Sequence, residues 1–206
     1  MAWVYDIGVA TYFAEYGADM INNATEFYQY MIAKSVTVEA ICGMLGNIQK
    51  ESTLNPAIKQ SANTSSGWGL IQWTPSTVLT NWCITNEYRW YDGYAQCDRI
   101  WCEGTGEKDA GGYWLTTQDY PYTWAEFIAL TSVTTATLAY LHERERASEE
   151  DVETRLNHAL WWYEYFTGNP PPPEPPTPPL PPIVTTQDGM PLWMMLRRRL
   201  HFKRIG

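Results

Sequence analysis

Residues 40–56 read Ala-Ile-Cys-Gly-Met-Leu-Gly-Asn-Ile-Gln-Lys-Glu-Ser-Thr-Leu-Asn-Pro, and after a polar loop residues 67–74 read Gly-Trp-Gly-Leu-Ile-Gln-Trp-Thr. Ile41, Leu45, Ile48 and Ser52 fall on one helical stripe with Met44 beside it, which predicts an amphipathic helix from Val38 to Ser52 packed on a core. Glu51 then lies in the last turn. The negative end of the helix dipole, together with the apolar walls expected around it, would push this carboxyl upward and suit it to donate a proton at neutral pH. Asn55-Pro56 turns the chain away from helix, and the polar run 61–66 follows. Gly67-Trp68-Gly69 permits tight turns near a ligand, and Gln72, Trp73 and Thr74 add an amide, an indole and a hydroxyl. Such groups suit a neutral sugar ring, held by amide hydrogen bonds and by stacking on aromatic faces.

Composition narrows the partners. The 206 residues suffice for one domain with a full core plus an appendage. A net charge of −9 argues against nucleic acid or an anionic membrane as main partner, and gives no steering toward an anionic cell wall either. The charge is uneven: residues 1–168 hold nine Lys and Arg against twenty-one Asp and Glu, residues 169–206 five against two. Eleven Trp and fourteen Tyr exceed the needs of a core this size, so some are expected to face a groove. Cys42, Cys83, Cys97 and Cys102 form no Cys-x-x-Cys pair, and His142 and His158 lie far off in sequence, so no metal and no cofactor is expected. Free buried thiols are the default, with a Cys97–Cys102 bridge as the alternative in an oxidising exterior. Residues 1–18 lack the basic start and apolar run of a secretory leader, and no stretch approaches a membrane span, which predicts synthesis in a cytoplasm.

Along the chain, residues 1–22 read as a short helix or a docked arm. Asn22 or Asn23 is expected to cap a helix through Phe27, Tyr28, Met31 and Ile32, forming a hairpin with the helix that carries Glu51. Val78, Leu79 and Trp82 predict a helix after Pro75 that walls the cleft. Residues 87–122 read as loops with short helical pieces around Ile100-Trp101, in which Asp92, Asp98 and Asp119 are turn or cap residues, or else a second carboxylate. Thr123 with Glu126 signals a capping box for a helix through Phe127 and Leu130. A helix over 134–146 and another to about Tyr165, with Val152, Leu156, Leu160 and Tyr163 on one face, complete the body. Residues 169–182 hold ten of the fourteen prolines, a polyproline spacer of about 40 Å. Residues 183–206 join the apolar run Leu192 to Leu196 to Arg197-Arg198-Arg199 and Lys203-Arg204, an anchor for another protein or for the acidic body itself.

Glu51-Ser52 with Asn55-Pro56, followed by Gly69-Leu70-Ile71-Gln72, resembles the signature of the lysozyme and lytic transglycosylase superfamily. The fuller string from Ala40 to Thr74 is similar to the phage tail lysozyme family, tightly over about thirty-five residues and loosely from Asn23 to Phe166. The resemblance implies a mostly α fold: a single lysozyme-like helical domain with a substrate cleft at 23–168, ahead of the linker and basic tail. It implies a virion enzyme acting on bacterial peptidoglycan, with Glu51 as the catalytic acid and Ser52, Trp68, Gly69, Gln72, Trp73 and Thr74 touching substrate. A Glu-Arg element in the family suggests that Glu143 borders the cleft, against a plain reading of 142–146 as a surface charge cluster. Other tail proteins would be met through residues 183–206. Hydrolysis is the expected reaction. The alternatives are lytic transglycosylation, use as an endolysin, a non-catalytic glycan-binding tail protein, and a peptidase with Cys42 as nucleophile and His142 or His158 as base.

Overall fold

A computed structural model describes residues 2–111, 114–145 and 151–169; the linker, the anchor, and Ser148 to Glu150 lie outside the described residues. Helix α2, Val38–Ser52, runs through the middle of the protein, as its stripe predicts, and every residue from Ala40 to Gln49 is buried. Thr37 caps it by accepting from the Ala40 N–H, and Thr53 ends it in the left-handed conformation at φ +48°.

Three helices enclose α2. Helix α1, Ala18–Ile32, lies antiparallel to it, since Asn23 near the start of α1 donates to the Leu54 carbonyl just past the end of α2. Helix α7, Val152–Thr167, also runs antiparallel: Tyr163 reaches Glu39, Ala159 faces Gly46, and Arg155 meets Asn47 and Glu51. Helix α6, Val133–Tyr140, advances in the same sense as α2, with Ala136 against Gly43 and Thr137 accepting from Asn47. The two glycines set these distances. A Cβ on Gly43 would come within 2.7 Å of the Ala136 backbone, and one on Gly46 within 2.7 Å of the Ala159 methyl. Helices α3, Thr77–Thr85, and α4, Gly93–Thr105, and the single turn α5, Trp124–Phe127, complete the helical set among the described residues. A continuous core joins all of them.

The amino-terminal segment is an arm. Gly8–Val9 (β1) pairs in parallel with Ile58–Lys59 (β2), and around this pairing the arm is tied to the end of α2. Asn23 accepts from Val4 N–H and donates to Val4 O, Asn55 donates to the carbonyls of Asp6 and Thr11, and Thr53 Oγ1 accepts from Phe13 N–H at 2.7 Å. The predicted capping by Asn22 or Asn23 is therefore corrected: α1 begins earlier, at Ala18 behind Gly17, and both amides serve the arm instead.

Four other expectations are corrected. Residues 93–105, read as loop with short helical pieces, form the thirteen-residue α4, capped by Asp92. Its buried face carries Gln96, Arg99 and Glu103 beside Ala95, Cys97, Ile100 and Cys102, so apolar periodicity is masked by polar residues turned inward. The helix after Thr123 does have the capping box but stops at Phe127, and Ser132 caps a new one. The helix predicted from Thr134 changes character, its last residues Leu141–Glu145 winding as π-helix. In α7 the buried residues are Arg155, His158, Ala159 and Trp162, while Val152, Leu156, Leu160 and Tyr163 are only half-buried. The four cysteines are free and buried.

Candidate active site

Glu51 emerges where α2 ends, its side chain 23% exposed at the edge of an otherwise buried helix. Its neighbourhood differs from the apolar walls expected. Arg155, whose own side chain is 3% exposed, donates from Nη2 to Glu51 Oε1 at 2.5 Å and from Nη1 to the Asn47 carbonyl and Oδ1 at 3.3 and 3.2 Å. Asn47 is in turn fixed by donating to Gly43 O and Thr137 O at 2.8 and 3.0 Å. The guanidinium thus bridges two successive turns of α2, and its charge complements the negative helix end that bears the carboxylate. Arg155 was not singled out from the sequence. Arg155, His158 and Trp162 do recur at helical spacing, but the apolar stripe beside them on α7 is the stronger periodic signal.

Behind Glu51 the chain makes two consecutive left-handed residues, Thr53 and Leu54. Ser52 is buried; its hydroxyl donates to Ile48 O and accepts from Leu54 N–H, so it terminates the helix and presents nothing outward. Lys50 on the other side pairs with Asp151 at 3.0 Å.

Residues 67–74 fold as one tight turn. Trp68 and Trp73 exchange backbone hydrogen bonds at 3.3 and 3.0 Å, and Gln72 N–H closes the turn on Gly69 O. Gly69 holds φ +83°, and a Cβ there would strike Gln96 Oε1, which accepts from Leu70 N–H. Gln72 is half-buried and donates from its amide to Gly69 O; Thr74 is exposed, its hydroxyl on Gln72 O. Trp68 is half-buried with Lys59 Nζ 4.2 Å above its ring. Trp73 departs from expectation. It is 3% exposed and its indole donates to Glu103 Oε1 at 2.7 Å, so it anchors the turn from inside and offers no face to a sugar.

Glu103 is a second buried centre the sequence did not reveal. It also takes Arg99 Nε on the oxygen that Trp73 uses, and Arg144 Nε and Nη2 on the other, at 2.6 to 2.9 Å. One carboxylate therefore joins the 67–74 turn, α4 and the π-helical turn. Such a compensated interior ion cluster needs every partner in place. Glu143, next to Arg144, is fully buried as well, which corrects both the surface-cluster reading and direct contact with substrate in this structure. Its Oε1 accepts from Tyr122 N–H at 3.2 Å, and burial pushes its carboxyl up to about 7.

Two of the three candidate second carboxylates are occupied elsewhere. Asp92 caps α4 through Tyr94 N–H, and Asp98, within α4, binds Lys108 at 2.6 Å as well as Tyr30 and Tyr88. Asp119 is exposed in a bend. Cys42 is fully buried and burial drives its thiol far above the ordinary value, which disfavours the thiolate a peptidase would need. His158 is held below its ordinary value by burial, and His142 stacks on Tyr120. No helix among the described residues is long and apolar enough to cross a membrane.

The chain is 36% identical over 155 residues to morphogenesis protein 1 of Bacillus phage B103, an alignment covering 73% of this chain and 40% of that protein. The chain thus spans well under half of that relative's length. The sequence pattern of phage tail lysozymes matches residues 22–166, from α1 to the last turn of α7. With that pattern running through the helix of Glu51, the 67–74 turn and the helix of Arg155, this chain belongs to the phage tail lysozyme family.

Proposed function

We propose that this protein cleaves the glycan strand of bacterial peptidoglycan, with Glu51 as the proton donor, as a virion component that helps a phage penetrate its host's wall. The observation that carries this reading is the part-open Glu51 carboxyl at the end of the buried central helix, in a chain of the tail lysozyme family. Arg155 holds Oε1, which leaves Oε2 as the atom that carries the proton to the glycosidic oxygen. As the bond breaks, the departing sugar leaves an oxocarbenium-like centre at the muramic acid carbon. The 67–74 turn, with Trp68, Gln72 and Thr74 at its surface, supports the neighbouring sugar. Hydrolysis is the reading the family favours. Transglycosylation, in which the sugar's own 6-hydroxyl attacks, is the second reading: Asp92 and Asp98 are already engaged as a cap and as an ion-pair partner, and of the three candidate carboxylates Asp119 is the one exposed in a bend.

Mass spectrometry of the muropeptides released from purified walls tests the reaction. Reducing muramic acid ends mark hydrolysis, 1,6-anhydro ends mark transglycosylation, and no release at all rejects glycosidase function. Glu51→Gln tests the assignment: cleavage should fall by about 10² to 10⁴ with the melting curve nearly unchanged. A mutant that keeps more than roughly a tenth of the activity would remove Glu51 from the role of acid.

A further inference from the structure

A row of aromatic side chains leads away from the 67–74 turn across the surface. Trp68 and Trp90 have ring centroids 5.0 Å apart, Trp90 and Tyr91 5.7 Å, and Tyr91 and Tyr5 5.0 Å. The four residues come from three separate segments: the turn, the loop before α4 and the amino-terminal arm. Tyr5 is 48% exposed, and Trp68, Trp90 and Tyr91 are half-buried, so none of the four is fully enclosed. Lys59 Nζ lies over both Trp68 and Trp90, at 4.2 and 5.3 Å. Val9, 52% exposed and paired in register with Lys59, extends the same patch. Trp90 and, from the arm, Trp3, Phe13 and Tyr16 pack against the core, whereas Trp68, Tyr91 and Tyr5 lie outside that cluster and Tyr5 leaves the far end of the row open.

We propose that this row is an extended polysaccharide-binding track, along which a glycan strand stacks its sugar rings as it leaves the active site. The occupant is assigned by three properties. The rings follow one another at centroid steps of 5 to 6 Å with their planes turned by 46°, 89° and 44°, so a strand that twists along its length can meet one ring after another. The row is continuous at Trp68 with the turn proposed to hold substrate. Its cation, Lys59, sits in an otherwise strongly acidic body and is placed to meet the lactyl carboxylates of a wall glycan. The track deepens the glycosidase reading and rests on it only for the identity of the polymer.

The test uses the full chain carrying Glu51→Gln, so that binding is not followed by cleavage, and insoluble purified Gram-positive peptidoglycan as the probe. Adding Tyr5→Ala, Tyr91→Ala and Trp90→Ala should weaken retention roughly tenfold, because three stacking rings are removed. Tyr5→Phe with Tyr91→Phe should restore it, since the rings and not the hydroxyls do the binding. If the Trp90 change lowers the melting temperature, the double change at Tyr5 and Tyr91 alone, on open positions, should still weaken retention about threefold. Unchanged retention in the variants that fold overturns the track. So does an effect traced by sedimentation to altered self-association, which would make the row a protein contact. Wild-type protein that cuts walls while the alanine variants bind normally rejects the track but keeps the glycosidase; retention that depends on the track in a protein that never cuts does the reverse.

Discussion

Glu51 and Arg155 form a unit in which geometry matters more than charge alone. The planar guanidinium spans from Asn47 to the Glu51 carboxylate, a reach and angle that an ammonium group cannot reproduce. Arg155→Lys should therefore lower wall cleavage about tenfold or more through misplacement of the acid, with KM less affected than kcat. Steady-state kinetics on a soluble wall fragment decides this; unchanged kcat would mean that Arg155 serves only packing. Glu143 shows the opposite design, a carboxyl buried with no cation against it among the described residues. Its folded pKa, raised to about 7 by burial, lies above that of the unfolded chain, so the native state binds the extra proton between those values. Stability is highest when Glu143 is protonated, falls as pH rises from about 4.5 toward 7, and is lost in full above that, by up to about 3 kcal/mol. Glu143→Gln keeps the acceptor for Tyr122 N–H and removes the titration. It should melt like wild type at pH 4 and several degrees higher at pH 8, as thermal denaturation at the two pH values will show.

At the level of elements, the close approach of α7 to α2 is what delivers Arg155 to Glu51. Gly46 permits it, since a side chain there would collide with the Arg155 carbonyl oxygen and the Ala159 methyl. Gly46→Ala should cost about 1–3 kcal/mol and displace Arg155, so activity is expected to fall together with the melting temperature. An alanine variant of full stability and activity would show that the helices can part without penalty. The Glu103 cluster plays the comparable part on the other side, tying Trp73 of the turn to Arg99 of α4 and Arg144 of the π-helical turn. Glu51 is thereby held by a charge pair between α2 and α7, and the turn by a buried cluster beneath it.

For the whole molecule, the acidic body and the basic, proline-tethered end are the dominant asymmetry. The residues matched by the family stop at 166, just short of the proline run, so catalysis and attachment are proposed to reside in different parts. A chain ending at Gly168 should cut soluble wall fragments at nearly the wild-type rate. In phage carrying this truncation, the protein should be missing from assembled particles, as quantitative immunoblotting of purified virions will report. Normal copy number in those particles would move the anchor elsewhere, first to the amino-terminal arm.

Much of the centre was legible in the order of residues alone. The α2 stripe, the break at Asn55-Pro56, the glycine-flanked Trp68 and the Thr123–Glu126 capping box are local signals, set by side-chain periodicity and backbone chemistry within a few residues. These determined the helical class, the place of Glu51 and the kinship of the chain. Tertiary structure alone decided what surrounds that carboxyl. Arg155 lies 104 residues from Glu51, and Trp73 thirty from Glu103. The faces of α4 and α7 that turn inward carry Arg, Glu, Gln and His. A buried polar residue is stabilised by the partner it meets across the fold, and that partner has no fixed offset in sequence, so hydrophobic periodicity hid the extent of α4 and misplaced the inward face of α7.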